Sequence, residues 1–447
     1  MEHERSPLLK PNNLKLKDKL IYGLGHIHND ICAALWFSYG LIYFQIATDS
    51  NAILSGSLIL LGQIVDAAAT PLAGYVIDLT SNKLLWHMIG SLATVISFPI
   101  IFTVCKFCGG IYDVGIYFGV AVSIFQIGWA LIQISHLAIL PEMSRDHSDR
   151  TNLTSYRYSG SMAAYILVQL IAWGLFNKSY TENESLLGPS DLQTFLDISL
   201  IVDLIGALCS SIFIFYGIFY IRNGTSLSIK TRAISKTLVW DIIFSSKLYK
   251  VAGLYTCSRL YLNLTMIYMP LFLNDVVLLQ KRLVATVPLV MFTSAVIASL
   301  VYNTFNKICH LKYKSVFFGA WLASISGNIL LMAYEQNDED LSSIFLAAAL
   351  FGIGSSLAII ISLTLAVNLV EPGTIDGFIF SAVTFADKLI NGLVVFIIEY
   401  LKCSNKLDCP YYYWNIMVFI NGAVITISLI FIYMINVRDV FSNQSNK

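Results

Sequence analysis

Long apolar runs alternate with short polar interruptions along almost the whole chain. Twelve of them lie near 20–46, 53–79, 84–105, 111–140, 151–176, 193–221, 249–275, 283–306, 314–334, 341–370, 374–401 and 411–436. Each is long enough for a helix to cross a ~30 Å hydrocarbon core, which takes about 20 residues. Open sheet cannot cross a bilayer, because its edge backbone groups would stay unpaired. The pattern therefore predicts an all-α polytopic membrane protein. One long basic interruption falls midway. It divides the chain into a tail at 1–19, a six-helix half at 20–221, a linker at 222–248, a second six-helix half at 249–436 and a tail at 437–447.

Composition supports this class. The 447 residues are 56% apolar and only 13% charged, where a soluble domain carries about 25% charged residues. The formal net charge is zero, so no basic field points to nucleic acid. No short apolar run with a small-residue cleavage site precedes the first span, which is expected to act as its own insertion signal. Most of the 28 Lys and Arg residues fall on the side that carries both termini. That bias predicts cytosolic termini. The sequons at Asn177 and Asn183 lie in the loop between spans five and six, on the opposite side, and are candidate glycosylation sites. A third sequon at Asn223 falls on the cytosolic side, so placement alone does not prove use.

The eight cysteines are scattered. Cys105 and Cys108 form a lone C-x-x-C without a thioredoxin-like surrounding or a second metal pair. Cys403 and Cys409 flank a short hairpin on the non-cytosolic side, where oxidising conditions would permit a disulfide; two free thiols are the alternative. No metal or cofactor is expected. The N-terminal tail contains Glu4-Arg5-Ser6-Pro7-Leu8-Leu9. Glu4 with Leu8 and Leu9 has the form of an acidic dileucine sorting signal, read by a clathrin adaptor on the cytosolic side.

Polar residues inside the spans are the candidates for chemistry. A charge at mid-membrane costs about 2.5–3.5 kcal/mol on insertion scales, and such residues default to function. Asp66 stands in the middle of span two, with Gly62, Pro71 and Gly74 nearby as signs of close packing. Asp30 shares a helix face with His26 and is either a proton or amine site or an interfacial cap. Gln133 and His136, three apart on span four, line a cavity or make a helix contact. Arg157 serves as a gate partner or touches substrate. Arg259 and Asn263 share a face of span seven; an arginine grips a carboxylate through two parallel hydrogen bonds, or it pairs structurally with an acid. Asp387 and Asn391 share a face of span eleven, and Lys388 points elsewhere. Asp78, at the end of span two, is read as a gating residue.

Asp66-Ala-Ala-Ala-Thr70-Pro71 resembles the helix-two motif of the glycoside–pentoside–hexuronide:cation symporters, a branch of the major facilitator superfamily. In that branch Asp-x-x-x-Asp-Pro supplies carboxylates for the coupling cation. Here Thr70 replaces the second carboxylate, which favours a proton over sodium. Lys388 resembles the helix-eleven lysine of that branch, which implies that it faces Asp66 across the two halves. The superfamily resemblance implies two halves that rock around a central site. Longer segments match a narrower group of the superfamily in the same order. These are 22–37, 133–142, 258–270 and 385–392. That group resides in lysosome and melanosome membranes and is implicated in moving cysteine into the organelle.

The expectation is a secondary transporter that carries cysteine or a similar small amino acid from cytosol to lumen, in contact with membrane lipid. The alternatives are a cation-coupled carrier of a sugar or other small metabolite, and a non-transporting membrane scaffold or sensor. An enzyme is disfavoured, because no nucleophile–base set stands in this apolar framework.

Overall fold

The computed structural model describes residues 14–80, 82–144, 147–180, 185–223, 246–309, 311–334, 341–368, 376–403 and 409–436. Glu4, Leu8, Leu9, Asn183, nearly all of the linker and the 437–447 tail lie outside the described residues.

The first half runs through α1 (Leu16–Leu24), α2 (Ile27–Ile42, extended by a π turn at Tyr43–Ala47), α3 (Ala52–Thr80), α4 (Lys83–Ile101), α5 (Ile111–Met143), α6 (His147–Ser179) and α7 (Leu192–Asn223). The second runs through α8 (Ser246–Asp275), α9 (Lys281–Cys309), α10 (Tyr313–Ala333), α11 (Ser342–Asn368) and α12 (Asp376–Tyr400). It ends in α13 (Tyr412–Asn415) and α14 (Asn421–Met434), joined by a π turn. Counting α1–α2 and α13–α14 as single rods gives the twelve long rods that the apolar runs predict. Among the described residues, ten of them are long and apolar enough to cross a membrane. The other two, α8 and α12, carry Arg259 and the adjacent Asp387 and Lys388, and α8 is buried on nearly every side. A helix that meets no lipid does not need a lipid-compatible surface. Outward faces elsewhere expose large apolar side chains such as Leu72, Leu204 and Leu300.

The stretch assigned to the N-terminal tail ends in helix. A helix already starts at Leu16, because Ile21 and Tyr22 bury against Leu14, Ile139, Leu153 and Phe213. Asp18 caps it, accepting from the Lys15 backbone N–H at 3.0 Å. Span one then bends at Gly25, where a Cβ would lie 2.6 Å from the Phe213 ring. Span three ends at Ile101 rather than near 105, and Cys105 follows in the loop.

The halves meet where α3 packs along α12 and α2 along α8. Glycines permit the first contact. A Cβ at Gly392 would come within 2.8 Å of Gln63, and one at Gly56 within 2.8 Å of Glu399. Gly62 is tight against Trp36 and Gln126, as its composition-based reading expects. Gly74 has only ordinary contact and Pro71 is exposed, so neither contributes close packing.

Candidate functional site

A cavity of about 400 Å³ lies between the halves. Its walls carry Asp30, Thr70, Gln133, Arg157 and Arg259, with Asp387 and Lys388. Thr154 and Tyr158, which also line it, are exposed, so the cavity is reached from the end where α5 turns into α6.

Asp66 and Thr70 are one turn apart on the face of α3 that meets α12. Lys388 Nζ lies 2.7 Å from Asp66 Oδ1 and donates to Thr70 Oγ1 at 2.7 Å. Thr70 donates in turn to the Asp66 backbone carbonyl at 2.8 Å. Asp66 is fully buried, and its Oδ2 has no partner. The Trp129 ring stands 5.9 Å from Lys388 Nζ and gives the ammonium an aromatic face.

Arg259 Nε lies 3.5 Å from Asp387 Oδ2, and about a third of the arginine side chain is exposed. Asp387 is held from behind. Asn391 Nδ2 donates to its Oδ1 at 2.7 Å, and Asn263 Nδ2 donates to Asn391 Oδ1 at 2.8 Å. Asn263 and Asn391 do not line the cavity; they orient the carboxylate that does. The acid expected opposite Arg259 is therefore Asp387, on the facing helix.

Asp30 belongs to a third set. His26 Nδ1 lies 2.8 Å from Asp30 Oδ2, and Ser161 donates to the same oxygen at 2.5 Å. Arg157 Nη2 stands 2.8 Å from His26 Nε2. A guanidinium only donates. His26 Nε2 must accept, so the ring proton sits on Nδ1 and is given to Asp30. The imidazole is a neutral link between Arg157 and Asp30.

One further candidate needs correction. His136 does not line the cavity. It is fully buried, donates to the Tyr22 carbonyl at 2.8 Å and stacks on the Tyr22 ring, because α5 turns that face toward α1. Gln133 alone of that pair reaches the cavity, with a buried and unpartnered Oε1. Asp78 is exposed in the last turn of α3, outside the cavity. Asn177 is exposed at the end of α6. Disulfides join Cys403 to Cys409 and also Cys105 to Cys108. The second of these was not expected from the lone C-x-x-C.

Sequence reading also missed Ser161, Tyr165 and the thioethers of Met162, Met266 and Met291, all in the cavity wall. Ser161 was findable one turn beyond Arg157; the methionines look like any other apolar position. His28 pairs with Asp203 at 2.9 Å, away from the cavity. With Cys32 these residues have the spacing of metal ligands, yet the imidazole and the carboxylate are already engaged with each other.

The charges lining this region therefore fall into opposed sets: Asp66 with Lys388, Asp387 with Arg259, and Asp30 with Arg157 through His26. Such a site suits a ligand whose own charges cancel.

A sequence profile described as "MFS/sugar transport protein" matches residues 21–401. Major facilitator superfamily domain-containing protein 12 of Homo sapiens is 32% identical, over 93% of this chain and 92% of that one. A putative glycoside/cation symporter, YagG of Escherichia coli, is 22% identical over 88% of this chain and 84% of its own. A crystal structure of a D-xylose–proton symporter superposes with a TM-score of 0.69 at 14% identity, covering 93% of this chain and 96% of that one. At that identity the likeness concerns the fold.

Proposed function

The chain belongs to the MFS/sugar transport protein family, and from that premise we propose that it carries cysteine or a similar small amino acid from cytosol to lumen across the lysosomal or a lysosome-related membrane. Transport is by alternating access and is linked to protons. The observation that carries this reading is the pair of opposite charges on facing cavity walls. Arg259, a third exposed and only loosely held by Asp387, is free to take a carboxylate. Asp30, whose Oδ2 is engaged by His26 and Ser161, is placed to take an ammonium. In the same cavity, Met162, Met266 and Met291 offer soft apolar lining for a thiol-bearing side chain. Sodium is disfavoured, because Asp66 already holds a lysine and Thr70 brings no charge.

In this reading both termini lie in the cytosol, and the tail signal Glu4/Leu8/Leu9 directs the protein through a clathrin adaptor. Glycosylation at Asn177 and Asn183 and the two disulfides belong to the luminal face in this reading.

A second reading is a proton- or cation-coupled carrier of a sugar. Trp129 and Gln133 favour it, since an aromatic face beside a free amide oxygen is a setting that a sugar ring can use. Uptake of labelled cysteine into vesicles containing the purified protein separates the two. Cysteine and its close amino acid analogues should compete, and sugars should not. Competition by a sugar with none by amino acids rejects the first reading.

A further inference from the structure

Two polar connections tie the halves together at the end remote from the cavity mouth. The first is an ion pair. Lys281, at the start of α9 in the second half, places Nζ 2.9 Å from Oδ1 of Asp191, which closes the 3₁₀ turn (Pro189–Asp191) before α7 in the first half. Each side chain is only 1% exposed. The surrounding backbone is stitched across the same seam. The Lys281 N–H donates to the Ser185 carbonyl at 2.7 Å, and the Leu187 N–H donates to Asn274 Oδ1 at 3.0 Å.

The second connection is a knot around Glu399, in the last turn of α12. Gln45, in the π turn that ends span one, donates from Nε2 to Glu399 Oε2 at 2.6 Å. Lys402 Nζ donates to Gln45 Oε1 at 2.8 Å and to the Tyr413 hydroxyl at 2.7 Å. Tyr413 passes its own proton to Gln45 Oε1 at 2.6 Å. Glu399 is fully buried, with Oε1 unpartnered. Gly56 makes room for it, as its missing Cβ would lie 2.8 Å from Glu399 Cβ.

A buried ion pair costs much desolvation, and separating its members strands two charges unless water reaches both. An element of that kind holds firmly when dry and parts only when the seam floods. We propose that these connections form the gate on the non-cytosolic side, with Asp191–Lys281 as its latch and the Glu399 knot as its second fastening. None of their residues lines the cavity, so they act on which side it faces, not on what it binds. The inference rests on the alternating-access reading but not on the substrate.

The test uses the full-length protein in oriented vesicles, with Ala295→Cys as a reporter in the cavity wall and the protein lacking that reporter as the blank. An impermeant maleimide is applied to the face that bears the disulfides. Asp191→Asn and Lys281→Met should each raise the labelling rate at the reporter by about tenfold or more. The swap Asp191→Lys with Lys281→Asp should return it toward the starting value. Gln45→Ala, which keeps every charge, should raise it to a smaller extent and covers the case in which a latch variant does not fold. Folded single variants that label at the parent's rate would overturn the proposal, as would a swap that labels as fast as either single variant. Failure of cysteine transport alone leaves these rates unchanged and speaks only against the substrate.

Discussion

Lys388 and Asp66, 322 positions apart in the chain, stand 2.7 Å from each other in the fold. One belongs to α12 and the other to α3, so the pair bridges the two halves beside the cavity. Its strength depends on whether the halves are together, which is what a coupling element in a rocking carrier needs.

The first prediction concerns that pair. Removing one member of a buried ion pair leaves the other uncompensated, at about 3–5 kcal/mol, while replacing both is far less harmful. Lys388→Ala should therefore lower the melting temperature of the purified protein more than the double variant Asp66→Asn/Lys388→Gln. Both should lose the pH dependence of uptake in proteoliposomes. Undiminished, still pH-dependent uptake by Asp66→Asn would remove this pair from the coupling mechanism.

Arg259 supplies the second prediction. Its guanidinium offers a planar fork that an ammonium lacks. Arg259→Lys should keep the ion pair to Asp387 in some form and preserve folding. It should still raise KM for an amino acid substrate by about tenfold or more. A matching variant at Asn263, which only supports Asn391 and Asp387, should have a milder effect. Equal kinetics of Arg259→Lys and the parent would assign the arginine to structure alone.

His26 is the link between Arg157 and Asp30. If the neutral ring transmits the charge of one to the other, an uptake double-mutant cycle on Arg157→Gln and Asp30→Asn should show coupling of about 1 kcal/mol or more. In a His26→Ala background that coupling should fall to near zero. Coupling that survives the loss of the imidazole would mean that the arginine and the carboxylate sense each other through space.

The number of rods, their order and the division into halves follow from the chain alone. Apolar length against bilayer thickness is a local property and needs no partner. The costly residues were visible for the same reason: Asp66, Arg259, Asp387 and Lys388 stand out because nothing apolar surrounds a charge without cause. Which charge meets which was not local. Arg259 could have met any acid in the second half, and only the approach of α8 to α12 selects Asp387. His136 has the same spacing to Gln133 whether it faces a cavity or a neighbour, and the rotation of α5 decided for the Tyr22 carbonyl. Asp191 and Lys281 stand between the apolar runs, and a sequence does not record that two loops from different halves close over them. Glu399 and Gln45 were hidden at span ends for that reason too. Periodicity and burial cost are written residue by residue along a helix. The pairing of helices depends on glycine contacts and rotations summed over the whole bundle, and there the tertiary structure alone decided.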